Sequence, residues 1–461
     1  MRKTTVSVIC AAVALAALLT RGVTVRADDT GSGKSTAGVL DLEALLSEGL
    51  ENNPEIIAYR NRADAMQERP SQAAAWDDPE LMFGVRSVPV PDYDFNKIDM
   101  TMKELSLSQK IPFPGVTSLR REVAVQDAKM SERELQYVRL KIAQQIKAAY
   151  ADLYMINAHL ATSEKNKNLL ETFVEIARSK YEVGSGLQQD ILKAQVEHSK
   201  FVERIIEFNQ KKITATAEMN RLLGRPSGTP LAGEPVLSWE PLRYSVDELE
   251  RMALENNPAL QSYQNRIEKS EAEYALAKKD YIPGFNISAA YGFRENGSYG
   301  ATSTPVSITS PDGSVSNAVA QSPGGRDRRD DVVSIAVGMN IPLWFKSKQN
   351  RKVAETHLLI EEAKAQRAAL TNDIVFKIRE LASKEERGAK LIELYQKGIV
   401  PQAAQSLESA LAGYRVGSVD FLALLDSQVT LCTYEVQISQ AKSEYVKDIA
   451  ELESVVGKRL F

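Results

Sequence analysis

Between Val116 and Val183 the chain has neither a proline nor a glycine. Leu135, Val138, Ile142, Ile146, Ala149, Leu153, Ile156 and Leu160 recur there at spacings of three and four, the apolar stripe of a helix that packs coiled-coil fashion on another. At about 1.5 Å per residue that helix is on the order of 100 Å long, where an ordinary globular helix has about 11–12 residues. A rod of this length fits no ordinary globular core and needs partners of matching length. The sequence offers them. One helix runs from Pro54 to about Trp76 and is ended by Asp77-Asp-Pro79; another runs from Leu187 to Leu223 and is ended by Gly224-Arg-Pro226. Laid end to end, these two match the long helix as a second column.

The pattern then restarts. Leu40-Asp-Leu-Glu-Ala-Leu-Leu-Ser-Glu-Gly-Leu-Glu-Asn-Asn-Pro54 is echoed by Ser245-Val-Asp-Glu-Leu-Glu-Arg-Met-Ala-Leu-Glu-Asn-Asn-Pro258. Tyr181-Glu-Val-Gly-Ser is echoed by Tyr414-Arg-Val-Gly-Ser, and Leu222-Leu-Gly-Arg by Val455-Val-Gly-Lys-Arg. Two copies make an internal duplication rather than a solenoid, which needs three or more units. A second long helix is expected from about Ser347 to Val416 and a last one from Val419 to Val456. Pro401 has no counterpart in the first copy and should kink the second long helix. Gly417 suits the left-handed position that stops a helix, and Ser418 suits the cap of the next.

Between the first two helices of each copy and its long helix lie two extended runs. Leu81, Phe83 and Val85 alternate with other residues; Ile98, Met100 and Met102 do the same, after which the phase moves to Leu105 and Leu107, as a bulge near Lys103–Glu104 would cause. Phe285 to Phe293 and Val333 to Ile341 alternate cleanly. Residues 90–97 and 296–330 connect the runs, the second stretch being a long Ser-, Gly- and Pro-containing solvated loop. Four strands cannot close a barrel, and open edges do not survive in lipid. Two or three chains must therefore share one barrel, since small bacterial barrels have at least 8 strands. The competing reading is a periplasmic coiled-coil scaffold or adaptor without a pore; the alternation of apolar residues in both copies weighs against it.

Met1 to Ala27 has a charged start, an apolar run and a small-residue cleavage site, the pattern of a secretory signal peptide. Its removal takes four basic residues and no acidic one, leaving 61 acidic against 53 basic residues and a net charge of −8. That weighs against nucleic acid as a partner. Only Cys432 would remain, so no internal disulfide is expected. The expected organisation is a signal peptide (1–27), a flexible start (28–39), a first repeat (40–224), a linker (225–243), a second repeat (244–457) and a short C-terminal end (458–461). No catalytic constellation, cofactor motif or metal set is visible. His159, His198 and His357 lie on different helices without ligand spacing, so an enzyme is not expected.

The chain resembles the TolC-type outer-membrane efflux proteins over nearly all of its mature length. Asn52-Asn-Pro54 and Asn256-Asn-Pro258, Tyr281-Ile-Pro283, Gln109-Lys-Ile-Pro-Phe-Pro-Gly115 and Val400-Pro-Gln-Ala, with Tyr414, Gly417, Asp420-Phe-Leu and Leu425-Asp426, carry the resemblance. The Ile-Pro-Phe-Pro-Gly and Pro-Gln-Ala signatures are most similar to its heavy-metal branch. The resemblance implies a mainly α protein with a small β part. It implies a homotrimer in which duplicated helix-strand-strand-helix repeats form a long periplasmic α-barrel joined to a 12-stranded outer-membrane β-barrel. It implies an exit duct in outer-membrane lipid, serving a periplasmic adaptor and a proton-driven inner-membrane pump, with metal cations or small toxic compounds as cargo. The adaptor-docking tips would be Val183, Gly184, Ser185 and Gly186 with Val416, Gly417 and Ser418. Asp426 and Asp190 would line the closing periplasmic end as rings of negative charge, with Tyr414 and Tyr181 holding it shut and Pro401 as the helix kink. Where some relatives carry a second acid three residues earlier, this chain has Ala423.

Overall fold

The long helix forms in full. In the computed structural model, which describes residues 38–460 apart from 97, 300, 301, 312, 314, 323 and 324, α4 runs unbroken over Val116–Glu182. Before it come α1 (Leu42–Asn52), α2 (Pro54–Gln67) and α3 (Arg69–Ala74), and after it α5 (Gln188–Leu223). The expected helix to Trp76 is thus two pieces: Pro70, which has no N–H to give the preceding turn, breaks it at Glu68. The second copy gives α6 (Val246–Asn256), α7 (Pro258–Lys279), α8 (Gln349–Leu394), α9 (Val400–Val416) and α10 (Phe421–Val456). Residues 1–27, expected as a signal peptide, and most of the expected flexible start lie outside the described residues. Among the described residues no helix is long and apolar enough to cross a membrane.

The second column is built as the lengths require. α2 and α3 pack along the N-terminal part of α4, and α5 packs along its C-terminal part. Where they meet, Ile56, Val138, Ile142, Ile146, Met219, Leu222 and Leu223 form one buried cluster. The repeated Asn-Asn-Pro explains the joint. Asn53 caps α2, its Oδ1 accepting from the N–H of Glu55 at 2.8 Å, while its Nδ2 donates to the Leu222 carbonyl at 2.8 Å. Asn257 caps α7 in the same way and donates to the Val455 carbonyl at 2.7 Å. Gly224 and Gly457 stop the incoming helices at positive φ; a Cβ on either would stand 2.7 Å from the Asn52 carbonyl oxygen or 2.6 Å from that of Asn256.

The long helices of the two copies differ. Between α8 and α9 the residues Tyr395–Ile399 form a single π turn, in which the Val400 N–H donates to the Tyr395 carbonyl five residues back. The cause stands just beyond it: Pro401 cannot donate and its ring crowds the preceding turn, so the register widens there while the helix continues to Val416.

β1 (Glu80–Arg86), β2 (Met102–Ile111), β3 (Phe285–Phe293) and β8 (Val332–Met339) form one antiparallel sheet in the order β1-β2-β3-β8. The register is continuous from Arg86↔Met102 to Glu80↔Ser108 and from Lys103↔Phe293 to Ile111↔Phe285. The expected bulge at Lys103–Glu104 is therefore absent. Ile98 and Met100 belong to the connection before β2, and Met102 opens the strand on the opposite face, fitted against Gly292, where a Cβ would meet its sulfur at 2.5 Å. The stretch 296–330, expected as a loop, carries two further ladders: β4 (Gly297–Tyr299) with β7 (Gly325–Asp327), and β5 (Thr302–Thr309) with β6 (Val315–Ser322).

The register sorts the two faces. Leu81, Phe83 and Val85, Leu105 and Leu107, Phe285, Ile287, Tyr291 and Phe293, and Val333, Ile335, Val337 and Met339 share one face and are all solvent-exposed in the single chain. The other face carries Glu104, Ser106, Ser108, Lys110, Asn286 and Ser288, with an Arg86–Glu104 ion pair at 2.9 Å. Among the described residues β1 and β8 each have one edge without a partner.

Candidate functional site at the paired helix tips

The two Gly-Ser turns fold alike. Gly184 (φ 73°) and Gly417 (φ 82°) take the left-handed conformation that ends α4 and α9. The N–H of Ser185 donates to the Lys180 carbonyl at 2.9 Å, and that of Ser418 to the Gly413 carbonyl at 2.9 Å. These are the six-to-one bonds of a Schellman turn. Each serine hydroxyl donates to the same carbonyl, at 3.2 and 3.1 Å. Ser418 thus closes the helix before the turn rather than capping the one after it. The N-cap of α10 is Asp420, whose Oδ1 accepts from the N–H of Ala423 at 2.9 Å.

The tips also share a steric problem and solve it with opposite glycines. Behind the first turn a Cβ on Gly186 would meet Lys180 Cβ at 2.9 Å; behind the second, a Cβ on Gly413 would meet Val419 Cγ2 at 2.5 Å. Lys180 corresponds to Gly413 and Gly186 to Val419. One member of each facing pair is glycine, but not the same one.

The turns lie side by side. Leu170, Phe173, Ala194, Phe201, Tyr414, Phe421 and Leu424 form a buried cluster that joins the lower ends of α4, α5, α9 and α10. Tyr414 is buried, its ring edge-on to Phe421 at 5.6 Å and covered by the Lys180 ammonium at 4.7 Å. Burial, and then the Asp190 carboxylate, push its hydroxyl pKa up, and among the described residues that hydroxyl has no hydrogen-bond partner. Tyr181, its counterpart, is exposed.

A cavity of about 560 Å³ between the turns is lined by Ser185, Gly186, Asp190, Gly417 and Ser418 together with Lys180, Lys193 and Asp420. Asp190 sits in the first turn of α5, where the helix dipole favours a carboxylate. Asp426 stands exposed one turn further along α10, outside this cavity. The structure thus brings Asp190 and Tyr414 together and leaves Asp426 and Tyr181 on the surface. The sequence reading missed Lys180, Lys193 and Asp420 as lining residues, although an Asp directly before an apolar helix start is itself a capping signal. At the apex Val183 is 76% exposed and Val416 81%, with Leu187 and Leu422 also exposed: four apolar side chains left open to solvent among the described residues.

Above the tips the α4–α10 seam is polar. The Gln428 side-chain amide, fully buried, donates to Asn166 Oδ1 at 2.6 Å. Lys165 pairs with Glu435 at 2.7 Å, and Lys447 with Asp152 and Lys147 with Glu453 continue the ladder. The histidines lie apart: His159 buried edge-on to Phe208 at 4.9 Å, His198 beside Glu171, and His357 against Tyr274.

Comparison with known proteins bears on the whole arrangement. A family model described as outer membrane efflux protein matches residues 45–225 and 249–458. The outer membrane efflux protein BepC of Brucella suis is 22% identical over 313 residues, 68% of this chain, which spans 62% of that protein's length. The cobalt-zinc-cadmium resistance protein CzcC of Cupriavidus metallidurans is 19% identical over 96% of this chain and 97% of its own. Among solved structures, VceC of Vibrio cholerae aligns with a TM-score of 0.72 at 16% identity, covering 91% of this chain and 97% of that one. CusC aligns with a TM-score of 0.73 at 14% identity, covering 94% and 96%.

Proposed function

This chain belongs to the outer membrane efflux protein family, and from that premise we propose that three copies build one outer-membrane exit duct for cargo delivered by an inner-membrane pump. The observation that carries this reading is the sheet: one face apolar and exposed, the other polar, and a free edge on both β1 and β8. Three copies joined edge to edge give a twelve-stranded barrel with lipid outside and a polar lumen inside, the arrangement in which no strand edge is left in hydrocarbon. The helix columns below continue the tube through the periplasm. Residues 40–224 and 244–457 act as the two repeats, with 225–243 as the linker between them and 458–461 as the tail.

The tips are the docking end. Val183 and Val416, with the Gly-Ser turns that present them, meet the periplasmic adaptor, and the pump behind the adaptor is proton-driven. Asp190 and Asp426, each present three times in a trimer, ring the constriction with negative charge, and the π turn and Pro401 let residues 402–416 change angle. Ala423 leaves that ring with fewer acids than some relatives carry. The acid ring fits metal cations or small toxic compounds as cargo, and CzcC is named for cobalt, zinc and cadmium resistance. The test is extraction and size. The protein should leave bacterial membranes only with detergent, migrate as a trimer and conduct in planar bilayers. A protein released by salt alone, monomeric and without conductance, would overturn the duct.

A further inference from the structure

Where the sheet meets the helices, a cavity of about 510 Å³ is lined by cations from three separate elements. β2 contributes Lys110, α4 contributes Arg120 and the last turn of α7 contributes Lys279. Lys110 stands in one cross-strand row with Asn286 and Gly338, on the polar face of the sheet. Gly338 keeps that row open, since a Cβ there would touch only the Asn286 carbonyl oxygen at 3.9 Å. The Lys279 ammonium lies 5.2 Å from the Phe113 ring. Among the described residues none of the three cations has an ion-pair partner in the chain. Two carboxylates line the same cavity. Asp280 is paired with Lys352 at 2.6 Å, which leaves Asp77 alone against Lys110, Arg120 and Lys279. The cavity therefore holds a surplus of two positive charges in each protomer.

Like charges converging on one concave surface repel, and the low-dielectric walls around them strengthen the field. A counter-anion relieves that repulsion. We propose that this junction cavity binds a phosphate-type oxyanion. The guanidinium of Arg120 offers a fork that matches two oxygens, and Lys110 and Lys279 act as point charges beside it. Two sources carry this chemistry. One is the headgroup of a phospholipid, which on the duct reading would reach the lumen-facing row of Lys110 only around the strand ends, near exposed Trp344, a residue type favoured at membrane–water boundaries. The other is a free or cargo-borne phosphate inside the duct. The inference rests on the duct reading only for the direction in which the polar face points.

The test is calorimetric titration of the detergent-solubilised full-length protein, first with inorganic phosphate and then with short-chain phosphatidylglycerol, with short-chain phosphatidylcholine as control. The wild type should bind one or both anions. Lys110→Gln/Arg120→Gln should bind about tenfold more weakly, with unchanged helical circular dichroism, and Lys279→Gln should weaken binding in the same direction. Binding of phosphate alone assigns the site to a free anion. Binding of phosphatidylglycerol alone, over phosphatidylcholine, assigns it to a headgroup. A wild type that binds neither, or folded variants that bind as the wild type does, overturns the proposal. The titration needs no pore, so its failure is separate from failure of the duct reading.

Discussion

Asn53 and Asn257 each do two jobs with one side chain: the carbonyl oxygen caps a helix and the amide holds the end of another. Substitution by alanine removes a cap and leaves a buried carbonyl without its donor, so Asn53→Ala and Asn257→Ala should each cost about 2 kcal/mol. A lowered urea midpoint by circular dichroism would show it; an unchanged midpoint in both would leave the asparagines as ordinary surface-joint residues. His159 gives a pH signature. Burial holds its pKa below the ordinary 6.5, with the Lys211 charge adding to the effect and a backbone contact to Val436 opposing it. The unfolded chain then binds the proton before the folded one does. Stability is fully present above about pH 6.5 and is lost as pH falls from there through the lowered folded value. His159→Leu should flatten the thermal-unfolding profile across that window, and a slope that survives the substitution would place the sensitivity elsewhere. At this scale the repeated Asn-Asn-Pro was plain in the sequence. The bond from each asparagine to a helix end 169 or 198 residues away was not, because a local motif does not state its distant partner.

The elements were legible where one residue type settles the backbone. The long helices end at glycines with positive φ, and the strands alternate as their faces demand. Other details escaped the sequence for physical reasons. Ser418 precedes a helix but bonds backward to Gly413, because a Schellman turn leaves its hydroxyl over that carbonyl. The phase shift before Leu105 came from a chain that had not yet entered the strand, not from a bulge. The π turn is set by Pro401, and proline announces an interruption without saying which hydrogen-bond register absorbs it. The opposite glycines at the tips allow a direct trial. Gly413→Ala drives a methyl onto Val419 and should destabilise the tip by about 1–3 kcal/mol, while Gly413→Ala/Val419→Gly, which copies the first tip's choice of small residue, should recover most of it. A double variant no better than the single one would mean that the close approach to Val419 is not the source of the strain. On the surface of α10, Asp426→Ala should leave folding and assembly intact and weaken cation preference and divalent-cation block of the channel in planar bilayers. Unchanged selectivity and block would remove Asp426 from the constriction.

At the scale of the molecule, the duplication supplies both columns and both halves of the sheet, and the β2–β3 ladder joins them within one chain. A chain ending after residue 243 loses β3, β8 and every helix from α6 onward. It should form no stable trimer on native electrophoresis, and a stable trimer of that fragment would show that the second copy is dispensable for closure. The free edges of β1 and β8 carry a further consequence, for the order of events during biogenesis. In the proposed ring the contact between one copy's β1 and the next copy's β8 would be head-to-tail, so a second copy would leave as many open edges as the first, and only the copy that closes the ring would remove them all. Each unmet backbone group in hydrocarbon costs several kcal/mol. On the proposed three-copy ring, one or two copies inserted alone would therefore sit high in free energy, and entry into the bilayer would wait for the last member, with partial rings held back in the aqueous compartment until it arrives.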